Sequence, residues 1–236
     1  MKRNPKPKFS DWLQQSLRLL GQHPRLWVSY SVIVAALLLI GHISQALGIF
    51  VAVASLFVGV GLAKYTDLQQ SAETKPSLNW VINKSLPLAL IAALIILLCW
   101  FVFLVTASLM SGEVYKIAQF FFHWEYTDSK LLHARTRDLA VWLYSYADVA
   151  LIFSVLMLSS FVGWFTHPLM LFRNETFSHA KEKNDYATSR NQKAIYQLLA
   201  FIIFQALLCS TLTPLLTPVL YALVSVLIYM PYKSLE

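Results

Sequence analysis

The chain has 236 residues, of which 57% are hydrophobic and 13% charged, with a mean hydropathy of +0.56. Soluble domains carry about 25% charged residues, so this composition excludes an ordinary water-soluble domain, and 7 glycines with 9 prolines exclude a low-complexity chain. A formal charge of +7 would suit a nucleic-acid binder, but no basic helix stands apart from the apolar stretches, so no nucleic-acid partner is expected.

The N-terminal residues include Lys2, Arg3, Lys6 and Lys8, and the first long apolar run begins near Leu26. No small-residue cleavage site follows that run, which predicts a retained span and no cleaved signal peptide. About 20 apolar residues are needed to cross the hydrocarbon core. Six stretches meet or approach this length: 26–42, 45–65, 86–110, a fourth within 139–171, 194–210 and 214–232. Backbone groups in lipid must pair within their own segment, and these runs lack the alternation of barrel strands, so all six are predicted to be helices. The expected fold is therefore all-α: a single polytopic membrane domain built as three hairpins. Residues 1–25 form a basic terminus with a short elbow helix, 26–66 the first hairpin, 76–171 the second hairpin with an outer loop at 111–138, and 174–232 a further elbow helix and the third hairpin.

Lysine and arginine bias sets orientation. With the N-terminus in the cytoplasm, fifteen cations fall inside and four outside, namely Lys116, Lys130, Arg135 and Arg137. Glu113, Glu125, Asp128 and Asp138 accompany those four. Both termini are thus expected in the cytoplasm.

A weak repeat accompanies the spans. A short amphipathic stretch precedes each odd-numbered one: Phe9 to Leu20, Ser77 to Ile82, and Thr176 to Arg190. Each has the pattern of a helix lying in the interface with an aromatic at headgroup depth; an ordinary loop is the other reading.

In the second span Gly48, Ala52, Ser55, Gly59 and Ala63 recur at spacings that share one helix face. Small residues let a second backbone approach closely. The expected partner is the first span, through Ser31 and Ala35; another protein chain is the alternative. In the fourth span Asp148 is the sole acid in an apolar helix, and an ionisable group in a membrane is a candidate functional site. Trp142, Tyr144 and Tyr146 are read as the outer aromatic belt and Trp164 as the inner one, which places Asp148 near the outer boundary, close to water. In the fifth span Gln205 is expected deep in the core, bonding to a neighbouring helix or contacting a substrate.

The outer loop carries Phe120, Phe121, Phe122 and Trp124 and reads as an interfacial helix. His123, Glu125, Asp128 and His133 match no strong ligand motif, so no metal is expected there. Cys99 and Cys209 lie in apolar runs and are read as packing residues. The chain contains no G-x-x-x-x-G-K-[ST], G-x-S-x-G, H-E-x-x-H or C-x-x-C stretch. No cofactor and no enzymatic activity are expected.

Several short motifs sit on this plan. Trp12, Gly21, Pro24 and Trp27 lie at the first span, Pro76, Ser77 and Trp80 before the third, Pro168, Ala180, Ser189 and Asn191 between the fourth and fifth, and Tyr229-x-x-Tyr232 at the close. On these residues the chain resembles an uncharacterised proteobacterial inner-membrane family of six-helix proteins. That family is similar to the membrane domain attached to some bacterial glycerophosphodiester phosphodiesterases. The resemblance implies the six-helix topology and a bacterial inner-membrane location. It supplies no catalytic residues, and the aromatic outer loop departs from the family pattern. The expected role is a scaffold or accessory subunit of an envelope complex, in contact with membrane lipids and other membrane proteins; the alternative is a small-solute or lipid transporter.

Overall fold

The computed structural model describes residues 8–71, 77–121 and 136–234. The described residues are 92% helical with no strands among them, and six of their helices are long and apolar enough to span a membrane. Those spans are Pro24–His42, Gln45–Gln69, Leu78–Ser111, Tyr144–Val162, Phe177–Thr211 and Pro214–Lys233. The protein is an all-α polytopic membrane protein.

Helix α1, Phe9–Gln22, is amphipathic: Trp12, Ser16 and Leu19 are buried at helical spacing while Gln14, Gln15 and Arg18 are exposed. It packs along the last helix, and Phe9 stacks near Phe201 at 5.4 Å between ring centroids. His23 leaves the helical region at φ −126° and ψ 57°, and Pro24 opens α2, Pro24–Leu38. A proline at the first helical position loses no bond, because that N–H has no intrahelical acceptor. A 3-10 turn at Leu39–His42 then leads into α3, Gln45–Ser71.

The expected second elbow is not a separate element. Ser77 caps α4, Leu78–Ser111, by accepting the Trp80 N–H at 3.2 Å, and the helix runs on through Pro87. Trp80 is exposed, with the Lys84 ammonium 5.2 Å from its ring centroid. Gly112, at φ 74°, closes α4 in the left-handed conformation that favours glycine, and α5, Tyr115–Phe121, follows.

The fourth apolar stretch is broken. Helix α6, Thr136–Met157, ends in a π-helical turn at Leu158–Val162, after which Gly163 adopts φ 94° and α7 spans Thr166–Arg173. Asn184 fills the space beside Gly163 where a side chain would sit, and its Oδ1 accepts the Phe165 N–H at 2.9 Å. Trp164 is therefore a core residue, 1% exposed, and not the interface anchor expected of it. Its ring follows the turned chain inward. The side chain of Trp142 lies outside the described residues.

Helix α8 runs from Phe177 to Thr211 with a break at Asn191, φ −114° and ψ 16°. Asn191 Nδ2 donates to the Ala187 carbonyl at 3.0 Å, so a side chain is inserted at the acceptor one turn back, a recognised cause of kinks. The third elbow thus exists as the polar half of a kinked helix. A 3-10 turn at Pro214–Leu216 leads to α9, Thr217–Lys233.

Packing departs from a row of equal hairpins. In the most apolar stretches of α3 and α9, 78% of positions are buried, against 17% in α4. Helices α3 and α9 therefore form the central pair. Helices α1 and α2 lie against α9, α4 lies chiefly against α3, and α6 packs on α3 and α8. Helices α4 and α6, consecutive spans, meet at Trp100 and Phe153, 5.0 Å between ring centroids.

Candidate functional site

A stripe of polar side chains runs along α9. Thr217, Tyr221, Ser225, Tyr229 and Lys233 recur every fourth residue. At about 100° per residue such a stripe drifts roughly 40° per step, so it meets a succession of neighbours. At one end Thr217 Oγ1 donates to Asp148 Oδ2 at 3.0 Å, and Tyr221 Oη donates to the Ala147 carbonyl at 2.8 Å, both on α6. In the middle Ser225 Oγ lies 3.0 Å from the Leu56 carbonyl of α3 and 2.8 Å from that of Tyr221. Tyr30 of α2 joins there, donating to the Ser55 carbonyl at 2.8 Å with the Ser225 hydroxyl 3.4 Å away. At the far end Tyr229 Oη donates to Asp67 Oδ2 at 2.6 Å, and Lys233 pairs with the same carboxylate. Thr217 and Lys233 are sixteen residues apart, roughly 24 Å of helix at 1.5 Å per residue.

The small face of α3 makes this seam possible. Ala52 and Ala63 are fully buried, and Ser55 is buried. A Cβ on Gly59 would fall on the Ser225 and Tyr30 hydroxyls, and one on Gly48 would lie 2.5 Å from the Gly41 Cα and 2.9 Å from the Tyr146 ring. All five predicted positions are buried. Gly59 meets α9 and Tyr30 of α2, and Gly48 meets the 3-10 turn and Tyr146 of α6. Ser31 and Ala35 instead line a groove with Leu215 of the 3-10 turn and Pro218, Val219 and Ala222 of α9. A register difference of one residue on α2 turns its hydroxyl-bearing tyrosine, and not its small residues, toward α3.

Asp148 is fully buried, which corrects the expectation of a carboxylate close to water. It does lie one turn inside the apolar span that opens at Tyr144. The turn at Pro214–Leu216 packs over α6 there and replaces water with protein. Its Oδ1 has no hydrogen-bond partner among the described residues. Gln205 is half-buried and makes no hydrogen bond to a described residue.

Three features escaped the sequence reading. The first is the four-residue stripe on α9, legible in principle as Thr, Tyr, Ser, Tyr and Lys at constant spacing. The second is Asp67, which falls just beyond the predicted end of the second span, where Lys64 also lies 5.7 to 5.8 Å from the ring centroids of Phe172, Tyr229 and Tyr232. The third is His167 on α7. It is 4% exposed, its ring lies 4.3 Å from that of Phe57, and neither ring nitrogen has a partner among the described residues. It borders a cavity of about 110 Å³ lined otherwise by apolar side chains such as Ile95, Met157 and Met170.

Chemically, the hydroxyls of Tyr30, Tyr221 and Ser225 end on backbone carbonyls of neighbouring helices. That arrangement fixes helices against one another. Four cavities among the described residues, of about 740, 720, 530 and 110 Å³, are each bordered by α3 or by α9 or by neither, but not by both. No cluster of three or more metal-ligating side chains occurs among the described residues; His123, Glu125, Asp128 and His133 lie outside them. Cys99 and Cys209 are free thiols, the latter buried. Compared with known protein families, curated proteins and solved structures, the chain matches none.

Proposed function

We propose that this chain is a non-enzymatic protein of the bacterial inner membrane, with both termini cytoplasmic, acting as a scaffold or accessory subunit that receives a partner membrane protein along α4. The observation that carries this reading is the contrast between the centre and α4. At the α3–α9 contact the Ser225 hydroxyl meets the Leu56 carbonyl and Tyr229 donates to Asp67, an arrangement that ties the two helices together and supports a structural role over a solute path between them. Helix α4 is the least buried span and presents Leu94, Leu98, Val102 and Phe103 outward. The orientation is supported by Arg25, Lys64, Lys84, Arg173 and Lys233, which the topology gathers at one end of the bundle.

The test is photo-crosslinking in intact cells from single positions. Leu94, Leu98 and Val102 are expected to give discrete protein adducts, while Leu207, exposed on α8, gives lipid adducts alone. Lipid adducts at all four positions would refute the reading. A second reading, a lipid transporter, draws on the groove between α2, α3 and α4, a cavity of about 740 Å³ with Arg25 at one end. Transbilayer movement of labelled phospholipid in vesicles bearing the purified chain, at rates above empty vesicles, would favour it over the scaffold.

A further inference from the structure

The start of α1 and the kink of α8 enclose a cavity of about 720 Å³ bordered by Lys8, Ser10, Ser189, Arg190, Asn191 and Lys193. Among the described residues three cations border it and no acid does. Asp11, the nearest acid along α1, accepts the Lys8 backbone N–H at 3.1 Å. Asn191 is 6% exposed, and its Oδ1 is buried without a hydrogen-bond partner among the described residues. The bond from Nδ2 to the Ala187 carbonyl fixes which amide atom is which, so Asn191, which borders the cavity together with three cationic residues, carries an unsatisfied acceptor. An unmet buried acceptor is costly, and the residue that carries it borders a cavity large enough for a polar ligand. The cavity also sits where α8 passes from a charged sequence, ending at Lys193, to an apolar one beginning at Ala194, the composition change that marks a headgroup boundary.

We infer that this cavity binds the headgroup of a membrane phospholipid, one that joins a phosphate to a hydrogen-bond donor. Lys8, Arg190 and Lys193 face the phosphate, and a turn of the Asn191 side chain brings Oδ1 out to accept from a headgroup hydroxyl or ammonium. A phosphate alone would leave the amide acceptor unmet, and a choline headgroup has no donor to offer it. Phosphatidylglycerol satisfies both requirements, with two hydroxyls and one negative charge. The kinked helix thereby becomes the point at which the bundle grips one leaflet.

The test is native mass spectrometry of the full chain exchanged from bilayer nanodiscs of phosphatidylcholine with increasing phosphatidylglycerol. One phosphatidylglycerol is expected to be retained in preference to phosphatidylcholine. Each Lys or Arg beside an anionic headgroup contributes about fivefold, so Arg190→Gln with Lys193→Gln is expected to weaken retention about 25-fold. Arg18→Gln with Lys181→Gln removes the same charge away from the cavity, and is expected to weaken it less than about threefold. Ser189→Asp, an exposed position at the rim, is a second variant and is also expected to weaken retention. Equal loss in the two double variants would reduce the site to diffuse attraction and overturn the inference. Retention unchanged by Arg190→Gln with Lys193→Gln would do the same. Displacement of the lipid by inorganic phosphate would assign the cavity to a soluble anion and overturn the lipid source.

Discussion

Substituting Gly59 by alanine probes the centre of the bundle. The added methyl would occupy the space of the Ser225 and Tyr30 hydroxyls, which are themselves held to the Leu56 and Ser55 carbonyls. Either α9 or α2 must shift outward. Overpacking a close-packed core costs about 1–3 kcal/mol, and interhelical hydrogen bonds in membranes contribute about 0.6 kcal/mol each. With two such bonds strained, Gly59→Ala is expected to destabilise the chain by about 2–4 kcal/mol. The assay is reversible unfolding in mixed micelles, followed by tryptophan fluorescence. Gly21→Ala is the internal control: a Cβ there meets nothing within 4 Å, and the better helix former gains up to about 1 kcal/mol. Pairing Gly59→Ala with Ser225→Gly removes the Ser225 side-chain atoms from the path of the methyl, leaving the Tyr30 hydroxyl to shift, and is expected to recover about 1 kcal/mol, within the range of coupling between contacting residues. If Gly59→Ala proves as harmless as Gly21→Ala, or if the Ser225 change fails to rescue it, α3 and α9 do not pack as described and the closed-centre reading falls.

Other outcomes follow from the same geometry. Asp67→Asn is expected to cost about 1.5 kcal/mol, the lower end for hydrogen bonds to a charged group, because Lys233 is half-exposed; purely additive losses with Tyr229→Phe would show that the bond between them contributes nothing. Asp148→Asn should stay within about 0.5 kcal/mol of the parent, whereas Asp148→Leu orphans the Thr217 hydroxyl and is expected to lose about 1–3 kcal/mol; an equally stable leucine variant contradicts the role assigned to that contact. His167→Leu is expected to raise stability by about 1 kcal/mol or more, since a buried ring without hydrogen-bond partners is replaced by an apolar side chain; a lower melting temperature would point to a partner for the imidazole. The hydrogen bond from Lys116 holds the Glu113 carboxyl below its ordinary value of 4.5. Its contribution to the start of α5 is therefore complete above that ordinary value and is lost as pH falls through the lowered one. The protection of the Lys116 amide, whose N–H bonds the Glu113 carbonyl at 3.0 Å, taken relative to the intrinsic exchange rate at each pH, should fall over that acid range and stay flat in Lys116→Met.

The spans themselves were legible in the linear chain. Long apolar runs without alternation have a single solution in lipid, and the starts at Gln45 and Pro214 and the end near Tyr232 lie within a residue of where the structure puts them. The clustering of small residues on α3 was legible too, because helical period alone places them on one face. What the chain could not reveal is which neighbour each face meets. Hydrophobicity drives every span into lipid but does not choose among lateral arrangements there, since lipid tails and leucine side chains are equally apolar. That choice rests on close contact and a few hydrogen bonds between residues far apart in sequence. Ser225 reaches Leu56, Tyr229 reaches Asp67, and Thr217 reaches Asp148. The burial of Asp148, the inward turn of Trp164 after Gly163 and the central position of α9 all follow from that packing. The sequence by itself determined that this protein lives in a membrane as six helices, because transfer from water depends on local composition. The tertiary structure alone decided which polar groups lie inside, because burial depends on what packs over them.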